Sequence, residues 1–428
     1  MQIHHLKRII VKIYIKTFGC RTNIYDSELI KNYVKEEYSL TQNENEADAI
    51  IINSCTVTNN ADVGLKQYIS STKKKNPKAR FILTGCAANS IGEKLYKNNI
   101  VDSVFGASLK QQIPSILKTK KFFDVGNLNF IDEKVVSSYE QHTKAFVKIQ
   151  EGCDFNCSYC IIPSVRGRAR SIELDKLINE IKTLSENGFS EIVLTGTNIG
   201  SYGKDINTNL AKLIKEIFKI NNVKRLRLGS IEPVQINDEF KELLDEEKLE
   251  RHLHIALQHT NEQMLKLMQR RNTALKDLKL FEFLASKNYA LGTDFIVAHP
   301  GESEEIWQDA INKIYDFPLT HIHAFIYSKR DGTKSVELAK QLGEIPKEIA
   351  KQRLKQLRQI IADKNYEFRK KQKQLEVLIE QKKDSYYTGY DQFFNLIKIK
   401  STINLEKKWL KINDYEVGLE TNSAIIKK

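Results

Sequence analysis

Over residues 12–130, short runs of β-branched and apolar residues alternate with longer stretches of mixed apolar and polar positions, the pattern of an α/β domain. Runs at 12–18, 49–53 and 80–84 predict buried parallel strands, and each is followed within three residues by a cysteine: Cys20, Cys55 and Cys86. In an open parallel sheet the carboxyl ends of the strands line the binding crevice. Three cysteines remote in sequence are therefore expected at one edge. The polar, weakly periodic stretch 126–142 predicts a linker. A second series follows, with strand-like runs at 144–150, 191–197, 223–229, 253–258, 291–298 and 321–327. Six strand–helix steps fall short of eight and predict a partial barrel, open to a large substrate. One of its helices is expected to be capped by Ser171, to carry Leu174, Leu177, Ile178, Ile181 and Leu184 as an apolar stripe, and to stop at Gly188.

A long helical pattern covers 346–374, with Leu354, Leu357, Ile361 and Phe368 on one side and ten basic residues against three acids mostly elsewhere. That face is either solvated or a surface for tracking phosphates. Residues 375–428 alternate β-rich segments at 375–380, 395–400 and 409–412 with turn residues, as in a small β-barrel. The expected architecture is α/β throughout the first two domains: an open parallel sheet over 10–135, a partial (β/α)6 barrel over 139–370, and a small β-barrel over 371–428.

Composition changes the picture in two ways. With 67 Lys and Arg against 54 Asp and Glu, the chain carries +13, a field that attracts polyanions. Nucleic acid is the leading partner class, against the plainer reading of a Lys-rich protein. The six cysteines all lie within the first 160 residues, a poor layout for disulfides, so they predict metal ligands in a reducing cytoplasm. The basic start is interrupted by Lys12 and Lys16 and lacks a signal-peptide pattern. No run approaches the ~18 apolar residues of a membrane span. A cytoplasmic protein without a membrane partner is expected.

The chemistry concentrates in Gly152-Cys153-Asp154-Phe155-Asn156-Cys157-Ser158-Tyr159-Cys160, directly after the first barrel strand. Three thiolates bind three irons of a cubane and leave the fourth iron for a small chelating molecule. Structural zinc takes four ligands, and no fourth Cys or His lies nearby. For Cys20, Cys55 and Cys86 alone, buried structural thiols are an equal reading.

At this point the chain resembles the radical S-adenosylmethionine superfamily, with Tyr159 in the aromatic position of its three-cysteine signature. The strings Ile161-Ile162-Pro163, Arg166-Gly167-Arg168-Ala169-Arg170-Ser171, Asn53-Ser54-Cys55-Thr56-Val57-Thr58, Gly229-Ser230-Ile231-Glu232-Pro233 and His299-Pro300-Gly301-Glu302 are similar to its methylthiotransferase branch. The resemblance implies two [4Fe–4S] clusters, one on Cys153, Cys157 and Cys160 that cleaves S-adenosylmethionine, and one on Cys20, Cys55 and Cys86 that carries sulfur. It assigns Tyr159 to the adenine, and Asn198, Ser230, Glu232 and Gln258 to the methionine and ribose ends, although polar residues at strand ends also serve to close loops. His254 reads equally as a core histidine and is not assigned. Arg166, Arg168 and Arg170 are expected to meet RNA phosphates, since guanidinium groups suit them. The C-terminal barrel looks like the RNA-binding TRAM module.

Among the branches, the Arg-Gly-Arg-x-Arg-Ser and Asn-Ser-Cys-Thr-Val-Thr strings most resemble the MtaB type, which implies methylthiolation at C2 of N6-threonylcarbamoyladenosine at position 37 of tRNA. N6-isopentenyladenosine in tRNA and an aspartate of a ribosomal protein are the alternatives. From a different class, the chain could be an iron–sulfur RNA-binding protein without turnover. The resemblance also implies a sulfur donor, an electron donor such as flavodoxin or ferredoxin, and a monomer. His299 and His259 depart from the branch, standing where an aromatic residue and the serine of Gln-Ser-Gly are usual.

Overall fold

The protein is described by a computed structural model covering residues 11–132 and 134–426. The ends of the expected outer domains at Ile10 and Lys428 lie outside these described residues, as does most of the basic start. The chain forms two compact units: one runs to Val136 and takes in Glu151–Cys153 and Ile161–Arg170, and the other comprises Ser137–Gln150, Asp154–Cys160 and the chain from Ser171 onward.

The first unit is built on six parallel strands, β1 (Lys12–Thr17), β2 (Ser39–Leu40), β3 (Ala49–Asn53), β4 (Arg80–Thr84), β5 (Ser103–Phe105) and β6 (Phe122–Asp124), in the order β2-β1-β3-β4-β5-β6. Helices cover both faces, and Ile50, Ile51, Ile52, Ile82 and Leu83 are accordingly all buried, which explains why β3 and β4 read as continuous apolar runs. Thr17 pairs with Asn53 and Asn53 with Thr84, so β1, β3 and β4 end level. Of the helices, α1 (Arg21–Val34) follows β1, α2 (Asn59–Lys75) is capped by the Thr58 side chain, and α3 (Cys86–Ser90) starts two residues after β4. The expected linker is partly built in: Asp132 is buried in an ion pair with Lys110 of the first unit, and Tyr139 is buried in the second unit, where its hydroxyl donates to Phe146 O.

In the second unit β7 (Ala145–Glu151), β8 (Arg170–Ser171), β9 (Glu191–Gly196) and β10 (Arg225–Leu228) form one sheet in the order β10-β9-β7-β8, and β11 (His252–His254), β12 (Ala290–Val297) and β13 (His321–Ile326) form another. Single parallel bridges, Leu226 to Leu249 and Ile231 to Ile255, join the two. The six long-range steps of a partial barrel are thus present. The C-terminal strands β14 (Leu375–Lys383), β15 (Tyr386–Tyr390), β16 (Leu396–Ser401), β17 (Trp409–Ile412), β18 (Glu416–Val417) and β19 (Asn422–Ile426) make a curled sheet ordered β17-β14-β15-β16-β19-β18, a half-barrel with β17 and β18 at its edges.

Three local expectations need correction. Ser171 does not cap a helix: it ends β8, its hydroxyl donates to Asp205 and accepts from the Gly203 N–H, and the helix begins at Leu174. The run 253–258 is a strand only to His254, and the chain then turns through Gln258 at φ 67. The long basic helix, Lys347–Lys370, is not basic on its outside alone. Arg353 is buried against Glu302, and Arg369 is buried against Asn422 and Leu419 O, so both guanidiniums are structural.

Candidate functional site

In the first unit the level ends of β1, β3 and β4 deliver Cys20, Cys55 and Cys86 to one place. All three thiols are free of disulfides. The backbone is fitted closely there: Cys55 N donates to Phe18 O at 3.1 Å, and a Cβ on Gly19, which has φ +116, would lie 2.5 Å from Cys55 Cβ. Gly85 has φ +81, and a Cβ on it would stand 2.3 Å from Asn53 Oδ1 and 2.8 Å from Ser54 O, so only glycine turns the chain into Cys86. Burial pushes the Cys55 thiol up to about 11, with the neighbouring Cys86 and Cys20 adding to the rise. Cys86 is likewise raised by burial, opposed by Arg166 and reinforced by Cys20. Ionised together, three thiolates so placed would repel one another, so the trio suits a bound cation such as a cluster's iron.

Arg166 corrects its sequence assignment. Its side chain is 3% exposed, and it turns inward: Nε donates to Cys86 Sγ at 3.1 Å, one terminal nitrogen to Asp26 at 2.9 Å and to Glu151, and the other to Asn23 Oδ1 at 2.7 Å. No face is left for a phosphate. Arg170 is half-buried, donating to the carbonyls of Phe130, Arg166 and Arg168. Of the expected RNA-facing trio only Arg168 lies exposed.

The three-cysteine loop leaves β7 through Gly152 at φ +74, where a Cβ would lie 1.9 Å from Arg168 O, and Cys153 N donates to Gly167 O. In the second unit, Ser158 anchors the other part of that loop. Its N–H donates to Met268 O, its carbonyl accepts from Ser335 N, and its hydroxyl accepts from Ser335 Oγ, which sits 2.8 Å from His299 Nε2. His299, the departure flagged in the sequence, is therefore a buried link, held to about 4 by burial and so neutral. Tyr159 packs against Met264, Met268 and Ile296, and burial raises its phenol well above the usual range.

The residues assigned to the cofactor divide. Gln258 is buried and its Oε1 has no hydrogen-bond partner among the described residues, an acceptor suited to a ligand's N–H or O–H. Asn198 is buried, its N–H donating to Gln150 Oε1. Ser230 is exposed. Glu232 is held by both terminal nitrogens of Arg270, at 2.9 Å for the first, and that same nitrogen lies 3.6 Å from Cys157 Sγ. The Arg270 side chain, 1% exposed, links Cys157 to the Glu232 carboxylate, a role that nothing local in the sequence signals.

Residues 12–106 match a family model described as "Uncharacterized protein family UPF0004", and residues 147–314 match the Radical SAM superfamily. A putative methylthiotransferase of Helicobacter pylori (strain J99) is 47% identical over 97% of this chain and 99% of its own. The threonylcarbamoyladenosine tRNA methylthiotransferase MtaB of Aquifex aeolicus is 33% identical over 91% and 100%, and the tRNA-2-methylthio-N(6)-dimethylallyladenosine synthase of Fervidobacterium nodosum 31% over 89% and 91%. Among solved structures, the radical S-adenosylmethionine methyltransferase TsrM of Kitasatospora setae, determined with cobalamin and a [4Fe-4S] cluster, aligns with a TM-score of 0.57 over 78% of each chain at 13% identity, a likeness of fold.

Proposed function

The chain belongs to the radical SAM methylthiotransferases, and from that premise we propose that it inserts a methylthio group at C2 of N6-threonylcarbamoyladenosine at position 37 of tRNA. The observation that carries the sulfur-inserting part is the meeting of Cys20, Cys55 and Cys86 at three level strand ends beside Arg166. Cys20, Cys55 and Cys86 hold one [4Fe–4S] cluster, and Cys153, Cys157 and Cys160 another. When bound, these groups and S-adenosylmethionine supply an electron, a hydrogen-abstracting radical and the sulfur that acid–base chemistry cannot place on an aromatic carbon.

The chain's own residues bind and orient. Arg166 donates to Cys86 sulfur and neutralises part of its charge, which favours the thiolate and raises the potential of whatever it ligates. Arg270 does the same at Cys157 while holding Glu232 toward the cofactor's polar end. Ser158, tied to Ser335, fixes the loop that presents Tyr159 to the adenine. Gln258 offers its free oxygen, and Asn198 and Ser230 complete the polar lining. Arg168, exposed, meets phosphate together with the C-terminal half-barrel. Both kinds of adenosine modification occur among the named relatives at similar identity, and the MtaB-like strings around Cys55 and Arg166 favour the threonylcarbamoyl substrate.

The test is mass spectrometry of tRNA nucleosides from cells lacking the protein. Loss of methylthio-threonylcarbamoyladenosine is expected; loss of the methylthio-isopentenyl nucleoside instead reassigns the substrate. In vitro, replacing Cys20, Cys55 and Cys86 by alanine should lower iron from about eight to about four per chain while deoxyadenosine release persists. Absence of deoxyadenosine release from the intact reduced protein would leave only a non-catalytic RNA-binding role.

A further inference from the structure

One face of β11, β12 and β13 carries a concentration of imidazoles. His254 pairs with Gly292, Gly292 with His321, and Asp294 with His323. Since residues two apart on a strand share a face, His252, His254, Gly292, Asp294, His321 and His323 stand together. The rings of His252 and His321 are 4.9 Å apart, as are those of His254 and His323. Gly292 makes this possible. A Cβ there would come within 2.9 Å of His252 Nε2 and 3.0 Å of His254 Nδ1, so any side chain would displace the rings.

Within this face three donors converge. His254 Nε2 lies 3.2 Å and His323 Nδ1 3.6 Å from the two oxygens of Asp294, and one donor atom of each residue falls within 4.8 Å of the others. We propose that His254, Asp294 and His323 form a site for a borderline divalent cation of the zinc class, with two nitrogen ligands, one oxygen ligand and the remaining positions open to solvent. Two imidazoles and a carboxylate are the donor set that such cations take when a position is left for water or substrate.

Three observations favour a cation over a plain polar cluster. The ligands sit on adjacent strands in fixed register, so their positions are set before binding. Asp294 is half-buried and turns one carboxylate oxygen toward each imidazole. Its ion-pair partners among the described residues are those imidazoles, not a lysine or arginine that would already neutralise it. Access is available from one side, since the His323 side chain is 72% exposed while that of His254 is 12% exposed.

The site contains no sulfur, so it can be told apart from metal misplaced in the cysteine sites. The reconstituted protein with its clusters is equilibrated with Zn2+, desalted, and analysed for total metal and by X-ray absorption at the zinc edge. One zinc per chain is expected, with nitrogen and oxygen scatterers at about 2.0–2.1 Å. Asp294→Asn and His323→Ala should each weaken zinc binding at least about tenfold and leave the iron content unchanged, which is the effect of losing one of three ligands. No retained zinc, zinc that persists in His323→Ala, or sulfur scatterers at about 2.3 Å would overturn the proposal. His323 is largely exposed, so its variant decides the matter even if Asp294→Asn does not fold.

Discussion

Arg166 shows how one residue is reassigned by its surroundings. In sequence it is the first arginine of a basic loop; in the fold it joins Asp26, Glu151 and Asn23 to the sulfur of Cys86. Removing one partner of a buried ion network strands the others, at a cost of about 3–5 kcal/mol. Arg166→Ala should therefore lower the denaturant midpoint of the cluster-free protein by that equivalent and impair iron uptake, whereas Arg168→Ala should leave both unchanged. His299 supplies a pH-dependent counterpart. Burial lowers it from the ordinary 6.5 to about 4, so between those values the unfolded chain binds a proton that the folded chain refuses. The stability this confers is complete above pH 6.5 and is lost as pH falls toward 4. His299→Phe removes that term: the wild-type loss between pH 6.5 and 5 should shrink by roughly 2 kcal/mol, read from denaturation midpoints at the two pH values. His321, also held to about 4 by burial, keeps part of the acid limb in either protein.

At the scale of elements, the helix Lys347–Lys370 separates two kinds of basic residue that the sequence presents as one. Arg353 and Arg369 are buried and paired, while Lys351 and Lys355 are exposed. If the helix tracks phosphates, it does so through the exposed lysines. Reversing both, Lys351→Glu with Lys355→Glu, is expected to weaken tRNA binding and to lower the slope of log affinity against log salt by about 2, without moving the thermal midpoint. Arg353→Ala should do the opposite, leaving the slope and lowering stability, since it strands Glu302 at 0% side-chain exposure. Parallel measurement of salt-dependent binding and melting separates the two.

For the whole second unit, the C-terminal half-barrel is a structural partner of the catalytic strands as well as a candidate RNA module. Arg225 on β10 donates to Glu376 O at 2.6 Å, and Arg227 donates to Asp391 O at 2.8 Å, while both also bind the buried Glu191. Trp409 Nε1 donates to Ser190 Oγ, and Ala290 of β12 lies in the hydrophobic cluster of the half-barrel. Truncation after Lys370 would remove most of that cluster, uncover Ala290 and Phe368, and take away carbonyl partners of two buried guanidiniums. The shortened protein is expected to be aggregation-prone or strongly destabilised, not a catalytic core that merely binds RNA poorly; solubility, melting temperature and deoxyadenosine release of the truncated chain measure this.

The amino-acid sequence by itself determined the α/β architecture, the positions of three of the six strands in the first unit (β1, β3 and β4) to within a residue, and the two cysteine trios that follow strands. These are local signals: apolar runs bounded by turns fix a strand, and a cysteine two or three residues beyond has little freedom to be elsewhere. Tertiary structure decided which way a charge faces and what it meets. Arg166 and Arg353 turn inward, Arg270 reaches both Cys157 and Glu232, and His254 joins Asp294 and His323, each through residues tens to more than a hundred positions away in the chain. A side chain's type states what it can bind, but its partner depends on which distant strands and helices come level, and that is set only when the layers pack.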